Sequence, residues 1–188
     1  MVNYLLMVAP VAFIGAVAVY FAYLYNRLFR YRNAADANLG QIRVALKKRL
    51  DMIDELLGAV KGYIAHERRI FESVASMRAK IFEGGAGDLN EIDRESRSIT
   101  GNIVALAEAY PELKANETVK GLMDAIISVE DEIARHRYTY NNIVQSFNTM
   151  NDTIPSSWVA GIAGLVKLDY LQFEEGIEAR PDVTGITR

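Results

Sequence analysis

The 188-residue chain has no cysteine. Disulfides, thiol catalysis, thiolate metal sites and lipid attachment through cysteine are therefore excluded. Histidine is nearly as scarce. His66 and His136 each sit in a helical pattern without a second histidine three or four residues away, and a metal site needs more ligands than either offers locally. No serine occupies a nucleophile elbow, and no glycine-rich loop follows a strand, so neither acyl transfer nor a nucleotide cradle is indicated. Gly84 to Gly87 joins two helical patterns and reads as a turn. Asp51 and Glu55 share a helix face as an acid pair or cation site, against the simpler reading of a solvated face; the Glu130-Asp131-Glu132 run reads the same way. These gaps argue against an enzyme, and no cofactor or metal is expected. Strand signals are nearly absent, and no internal repeat stands out. No basic arm or base-stacking aromatic cluster is present, so nucleic acid is not an expected partner.

Charge is also missing from the first 26 residues. Tyr4 to Tyr25, as a helix, rises about 33 Å, close to the roughly 30 Å hydrocarbon core of a bilayer. Tyr4 lies at one edge, and Tyr20, Tyr23 and Tyr25 crowd the other, where an apolar ring with a wet hydroxyl is at home. A cleaved signal peptide carries its positive charge before the apolar run. Here Arg27, Arg30 and Arg32 follow it, which favours an anchor with the amino terminus outside and the rest cytoplasmic. Pro10 falls near the start of the span, where few helix bonds are lost.

Beyond the span, Leu39, Ile42, Leu46, Leu50, Ile53, Leu57, Val60, Ile64, Phe71, Val74 and Ile81 recur mostly in threes and fours, the mark of one buried helical stripe. No proline interrupts Val11 to Ala109. Span and stripe therefore predict a single rod, with Gly40, Gly58 and Gly62 as weak points of about 1 kcal/mol each. Asp88 is expected to cap a second helix bearing Leu89, Ile92, Ile99, Ile103 and Leu106. Tyr110 to Leu113 forms a turn. Asn116 caps a third helix bearing Leu122, Ile126, Val129, Ile133, Tyr140, Val144 and Phe147. Pro155 stops regular structure, and Ser156 or Ser157 caps a short apolar helix, Trp158 to Leu165. The expected fold is all-α: a transmembrane helix (1–26) continuing into the long helix of an antiparallel, coiled-coil-like bundle of three to four helices (27–167), then a loose tail (168–188).

Three features bear on function. The stripes turn polar at Glu67 and Arg68 and at His136 and Arg137. That is either a polar layer fixing register or joining chains, or arginine stems at the bundle edge with their heads in water. Arg27 to Lys80 holds 12 basic against 6 acidic residues, and Ile81 to Arg188 holds 9 against 18. The split fits either a basic helix packed beside acidic ones or attraction to anionic lipid. The run from Ile154 to Val166 is too short to span a bilayer and too apolar for a free surface helix. It caps the bundle, contacts another subunit through Trp158, Val159, Ile162 and Leu165, or lies on a membrane. An unbroken rod from Arg27 to Phe82 is about 84 Å long, and helices of about 32 Å back and 50 Å out again would leave this run far from the bilayer, as a distal subunit contact.

With those segments in place, the sequence resembles the LemA family of bacterial membrane proteins. The resemblance is carried by Tyr25-Asn26-Arg27-Leu28, Gln41-Ile42, Leu46 to Ile53, Val60-Lys61-Gly62-Tyr63 and His66-Glu67. It continues through Ala109-Tyr110-Pro111-Glu112-Leu113-Lys114-Ala115-Asn116, Glu132-Ile133-Ala134, Arg137, Tyr140-Asn141 and Phe147-Asn148. The Pro155 stop and the Ala160-Gly161 step match the family's C-terminal pattern. The resemblance implies an N-out anchor, a cytoplasmic helical bundle and no enzymatic activity. Some relatives take part in building magnetosome membranes, which implies membrane organisation. The family pattern usually has proline where this chain has Asp54, so a straighter rod is expected here. The leading expectation is a self-associating inner-membrane scaffold, with the lipid bilayer and further copies of itself as partners. The alternative is an accessory or adaptor for another membrane protein, such as a protease or envelope-stress component.

Overall fold

The computed structural model describes residues 2–63 and 67–172, with side-chain surroundings from Val8 and, in the second stretch, from Arg68. Among them there is no strand. Helix α1 (Val2–Ala59, 58 residues) contains Pro10 and runs without a break, a length of about 87 Å. Its first part is bare: Val8, Val11, Phe13, Ile14 and Val19 are all exposed, and α1 is long and apolar enough there to cross a membrane. From Leu28 onward one face is buried, through Ala35, Ile42, Leu46, Leu50, Ile53 and Leu57. The surface thus changes from apolar all round to a single buried stripe, which marks where α1 joins the bundle.

The expected rod to Phe82 does not form. Helix α1 stops at Ala59, and Val60–Tyr63 turn, with Tyr63 N–H donating to the Val60 carbonyl at 3.1 Å. Gly62 adopts φ +93°, a left-handed conformation that a side chain would oppose. Of the three glycines named as weak points, Gly40 and Gly58 remain helical. Ile64, Ala65 and His66 lie outside the described residues. Helix α2 (Glu67–Lys80) then returns along α1. Near its end Arg78 reaches Asp51 at 2.8 Å and Asp54 at 3.2 Å. Asp51 is thus one partner of an arginine rather than half of an acid pair, and Glu55 is exposed. Asp54 lies within the unbroken α1.

A second reversal follows, where Arg43 donates to the Gly84 carbonyl at 2.9 Å. Helix α3 (Ala86–Ala109) starts two residues before Asp88, with Gly85 at its N-cap. Asp88 is therefore not the N-cap. It reaches back from the first turn to accept the Gly85 N–H at 2.8 Å, satisfying one of the orphan donors of the helix start. The one-turn α4 (Pro111–Lys114) buries Leu113. At this far end the Tyr63 and Tyr110 rings meet edge to face at 5.2 Å, and Tyr63 donates to Glu112 at 3.2 Å. Asn116 caps α5 (Glu117–Asp152, 36 residues), accepting from Thr118 N–H at 2.9 Å and Val119 N–H at 3.3 Å. Helix α5 runs antiparallel to α1 for most of its length, so Val119 is at the far end and Phe147 is beside Leu24 and Leu28.

Helix α6 (Ser156–Ile162) has Pro155 at its N-cap with no side-chain cap; Ser156 instead donates to the Thr153 carbonyl at 2.9 Å. It closes on Gly164, whose φ of +64° permits Leu165 N–H to reach the Ala160 carbonyl (2.9 Å) and Gly164 N–H the Gly161 carbonyl (3.2 Å), a Schellman ending. Residues 165–172 then lie extended along α5. Asn148 brackets Leu168, donating to its carbonyl and accepting from its N–H, both at 2.9 Å. Asn141 does the same for Leu171, at 2.8 and 2.9 Å, and Tyr140 donates to the Asp169 carbonyl at 3.1 Å. Leu171 is 2% exposed. The expected loose tail therefore begins no earlier than residue 173; residues 173–188 lie outside those described.

Candidate functional site

Two places in the bundle carry more than packing. The first is a buried ion cluster about midway along the bundle. Asp93 of α3 receives Arg49 of α1 on Oδ1 at 2.6 Å and Arg137 of α5 on Oδ2 at 2.7 Å, with Arg97 at 3.3 Å. Arg49 has no exposed surface. It also donates to Ser96 Oγ at 2.6 Å and to the Asp93 carbonyl at 3.1 Å, and Glu130 stands 3.7 Å away. Arg137 further donates to Asn90 at 3.1 Å and to the carbonyl of Gln172. Four pieces of chain thus meet in one polar layer: α1, α3, α5 and the extended C-terminal segment. Burial pushes the Asp93 carboxyl up, but the pull of Arg49, Arg137 and Arg97 outweighs it and holds it below the usual carboxylate range. Burial lowers the Arg49 guanidinium, while Asp93 and Glu130 draw it back up. Both remain charged at neutral pH, because arginine starts so far above it.

The polar layer expected from sequence named different residues. Only Arg137 of that set joins this cluster among the described side chains. Arg68 is exposed and pairs with Glu72 at 3.0 Å on its own helix. His136 is half-buried, and the side chain of Glu67 lies outside those described. Arg49 and Asp93 went unnoticed, although both interrupt an apolar stripe: Arg49 is three residues after Leu46, and Asp93 and Ser96 fall between Leu89 and Ile103 at steps of three and four. Polar residues at stripe positions were the signal. Both carboxylate oxygens of Asp93 are thus paired with guanidinium groups, and no group of three or more His, Asp or Glu side chains able to hold a metal occurs among the described residues.

The second place is the end of the bundle that adjoins the apolar part of α1. Leu24 and Leu28 form a small core with Phe147 and Met150 of α5 and with Val159, Ala160 and Leu165, flanked by Phe21, Phe29 and Tyr31. The expectation of a distal apolar run is therefore overturned. The break at Val60–Tyr63 adds one reversal to the path, so α5 returns toward the anchor instead of climbing away. The expected subunit contact is also split. Val159 and Leu165 are 6% and 8% exposed, spent inside the chain's own core, whereas Trp158 and Ile162 are 58% and 88% exposed. Among the expected anchor residues, Tyr23, Tyr25, Arg27 and Arg30 are exposed and Arg32 half-buried, with Arg27 stacked over the Tyr31 ring at 5.7 Å. The side chain of Tyr4 lies outside those described.

The model of the LemA family matches residues 38–184. The chain belongs to the LemA family. The match covers α1 from residue 38, helices α2 to α6 and the docked segment 165–172. Among curated proteins, the chain is similar to protein LemA of Metamycoplasma hominis, 27% identical over 83% of this chain and 73% of that protein. It is also similar to magnetosome protein MamQ 2 of Paramagnetospirillum magneticum, 22% identical over 79% of this chain, and to magnetosome protein MamQ of Magnetospirillum gryphiswaldense, 22% identical over 78%. The chain spans 64% of the length of these two magnetosome proteins. Together with the long apolar helix, these likenesses mark a membrane-associated LemA-family protein. Within it, the Tyr140-Asn141 and Phe147-Asn148 pairs acquire a physical meaning. The aromatic ring of each faces the core, and the amide beside it holds the backbone of the C-terminal segment.

Proposed function

We propose that this LemA-family protein is a non-enzymatic, single-pass scaffold of the bacterial inner membrane, which self-associates and thereby organises or shapes the bilayer. The observation that carries the reading is α1, a single unbroken helix that is bare and apolar at one end and forms the spine of the bundle at the other. A flexible tether would let the bundle tumble. A shared helix fixes the angle between bundle and membrane, so any array of bundles imposes its geometry on the lipid. Arg27, Arg30 and Arg32 immediately after the apolar run support an amino terminus outside and the bundle in the cytoplasm. The likeness to proteins named for magnetosomes supports a role at a shaped membrane. Part of the charge split is spent internally, through Lys48–Glu132 at 3.5 Å and Arg49 with Asp93 and Glu130.

Light scattering and negative-stain images of protein extracted in mild detergent test the reading. Large assemblies are expected; a monodisperse monomer across a range of concentrations overturns it. Crosslinking in native membranes separates the adaptor alternative, which requires one dominant heterologous partner and no ladder of homo-oligomers.

A further inference from the structure

Helix α6 does not simply cap the bundle. It lies against the last turns of the apolar part of α1: Leu24 is in its core, and Phe21 is packed beside it. Phe21 is about 9 Å along the helix from Arg27, on the membrane side. The chain between Asp152 and Lys167 carries no charged residue, and these two flanking residues pair with each other at 2.9 Å. One side of this segment, Val159, Ala160 and Leu165, is buried against α1 and α5. The other bears Ile154 (70% exposed), Trp158, Ile162 and Val166 (72% exposed). Trp158 and Ile162 stand four residues apart in α6 and so share one stripe of it; Ile154 precedes the helix and Val166 follows it.

We propose that this stripe is a second membrane contact, lying in the interfacial layer of the same bilayer that α1 crosses. The occupant is lipid, by continuity with the span: the surface that α6 covers on α1 is the surface the bilayer covers one turn further on. At that level the exposed Trp158 and Ile162 face acyl chains or headgroups. Tryptophan, with an apolar body and one N–H donor, is suited to the boundary. The arrangement resembles an interfacial helix, with its apolar side about 5–10 Å into the headgroup–acyl boundary. Exposed Arg27 and Arg30 stand on α1 just beyond the span, where they complement anionic headgroups. The consequence is a two-point attachment. The span sets where the protein sits, and α6 sets how the bundle is turned about the span axis. This contact does not depend on whether copies associate, and it leaves the flanks of the bundle for that purpose.

Trp158 is the only tryptophan in the chain, so the full-length protein reports on itself. The experiment reconstitutes it in phosphatidylcholine–phosphatidylglycerol vesicles whose lipids carry bromine either near the glycerol or near the bilayer centre. Expected are blue-shifted emission, quenching by the shallow bromines exceeding that by the deep ones, and little quenching by aqueous iodide. Quenching by iodide with none by brominated lipid would place the stripe in water and overturn the proposal. Shielding from both, with emission that shifts as protein is diluted in lipid, would place it against a second copy and equally overturn it. Ile162→Ser should reduce bromolipid quenching while the far-ultraviolet dichroism stays unchanged. Undiminished quenching in that variant removes Ile162 from the contact and overturns the stripe.

Discussion

Asp93 stands among three guanidinium groups, two of them on buried side chains. Replacing the pair by apolar residues is often neutral, but removing one partner strands the other charge without solvent. Asp93→Ala should therefore cost about 3–5 kcal/mol, read as a lower denaturant midpoint for the bundle. The same carboxylate gives the fold a pH dependence of defined sign. Its folded pKa lies below its unfolded value of about 3.9, so its contribution is fully present above that value and is lost as pH falls through the depressed folded one. Melting temperatures recorded from neutral to strongly acidic pH should fall on the acid side. Asp93→Asn should lower the neutral plateau and flatten that acid limb; an equally steep limb in the variant would assign the acid sensitivity elsewhere. Gly164 makes a second residue-scale case. At φ +64° an alanine costs about 1–2 kcal/mol, and the loss is local, because Gly164 closes α6 and nothing else. Hydrogen exchange across α6 should accelerate in Gly164→Ala while α1 and α5 exchange as before.

The docked segment 165–172 is not a regular element, yet it is held as one. Two asparagine side chains each satisfy both backbone polar groups of a single residue, one heptad apart on α5, and Leu171 fills a core position between the helices. Asn141→Ala removes two of these bonds and leaves the Leu171 N–H and carbonyl seeking water in a buried place. Limited proteolysis should then cut within 165–172 in the variant at protease concentrations that leave the parent intact there; an unchanged digestion pattern would show that Leu171 alone holds the segment. Most of the helices were legible as apolar stripes, because 3.6-residue periodicity is a local property: the faces read from Ile42 to Val60, Leu89 to Ile103 and Ile126 to Phe147 are the buried ones, with Leu39 half-buried. The docked segment was not legible. Its partners are single asparagines whose use depends on what lies opposite, and no periodicity announces that. Asp93 and Arg49 were missed for the related reason that a charge on an apolar stripe reads as an interruption until its partner on another helix is known.

At the scale of the molecule, one turn decides where everything else lies. An unbroken rod gives three long legs and leaves the end of α5 remote from the bilayer; the glycine turn at Val60–Tyr63 gives four legs and brings that end back beside Leu24. Helix propensity could not reveal the turn, since a glycine costs a helix only about 1 kcal/mol, and Gly40 and Gly58 are carried inside α1 without a break. The difference is large enough to measure. The absence of cysteine permits a pair of spin labels without background, at Asn26→Cys just past the span and at Thr149→Cys near the end of α5, both exposed positions. Neighbouring antiparallel helices put the labels within about 25 Å of each other, two to three helix diameters. The three-leg path would put them about 100 Å apart. A short distance in lipid, with a label at Glu112→Cys remote from both, is the expected outcome. It would also mean that the bundle hangs from the membrane by both ends of its longest helix pair, the anchor of α1 and the return of α5, with the tyrosine turn at Tyr63 and Tyr110 as its far tip.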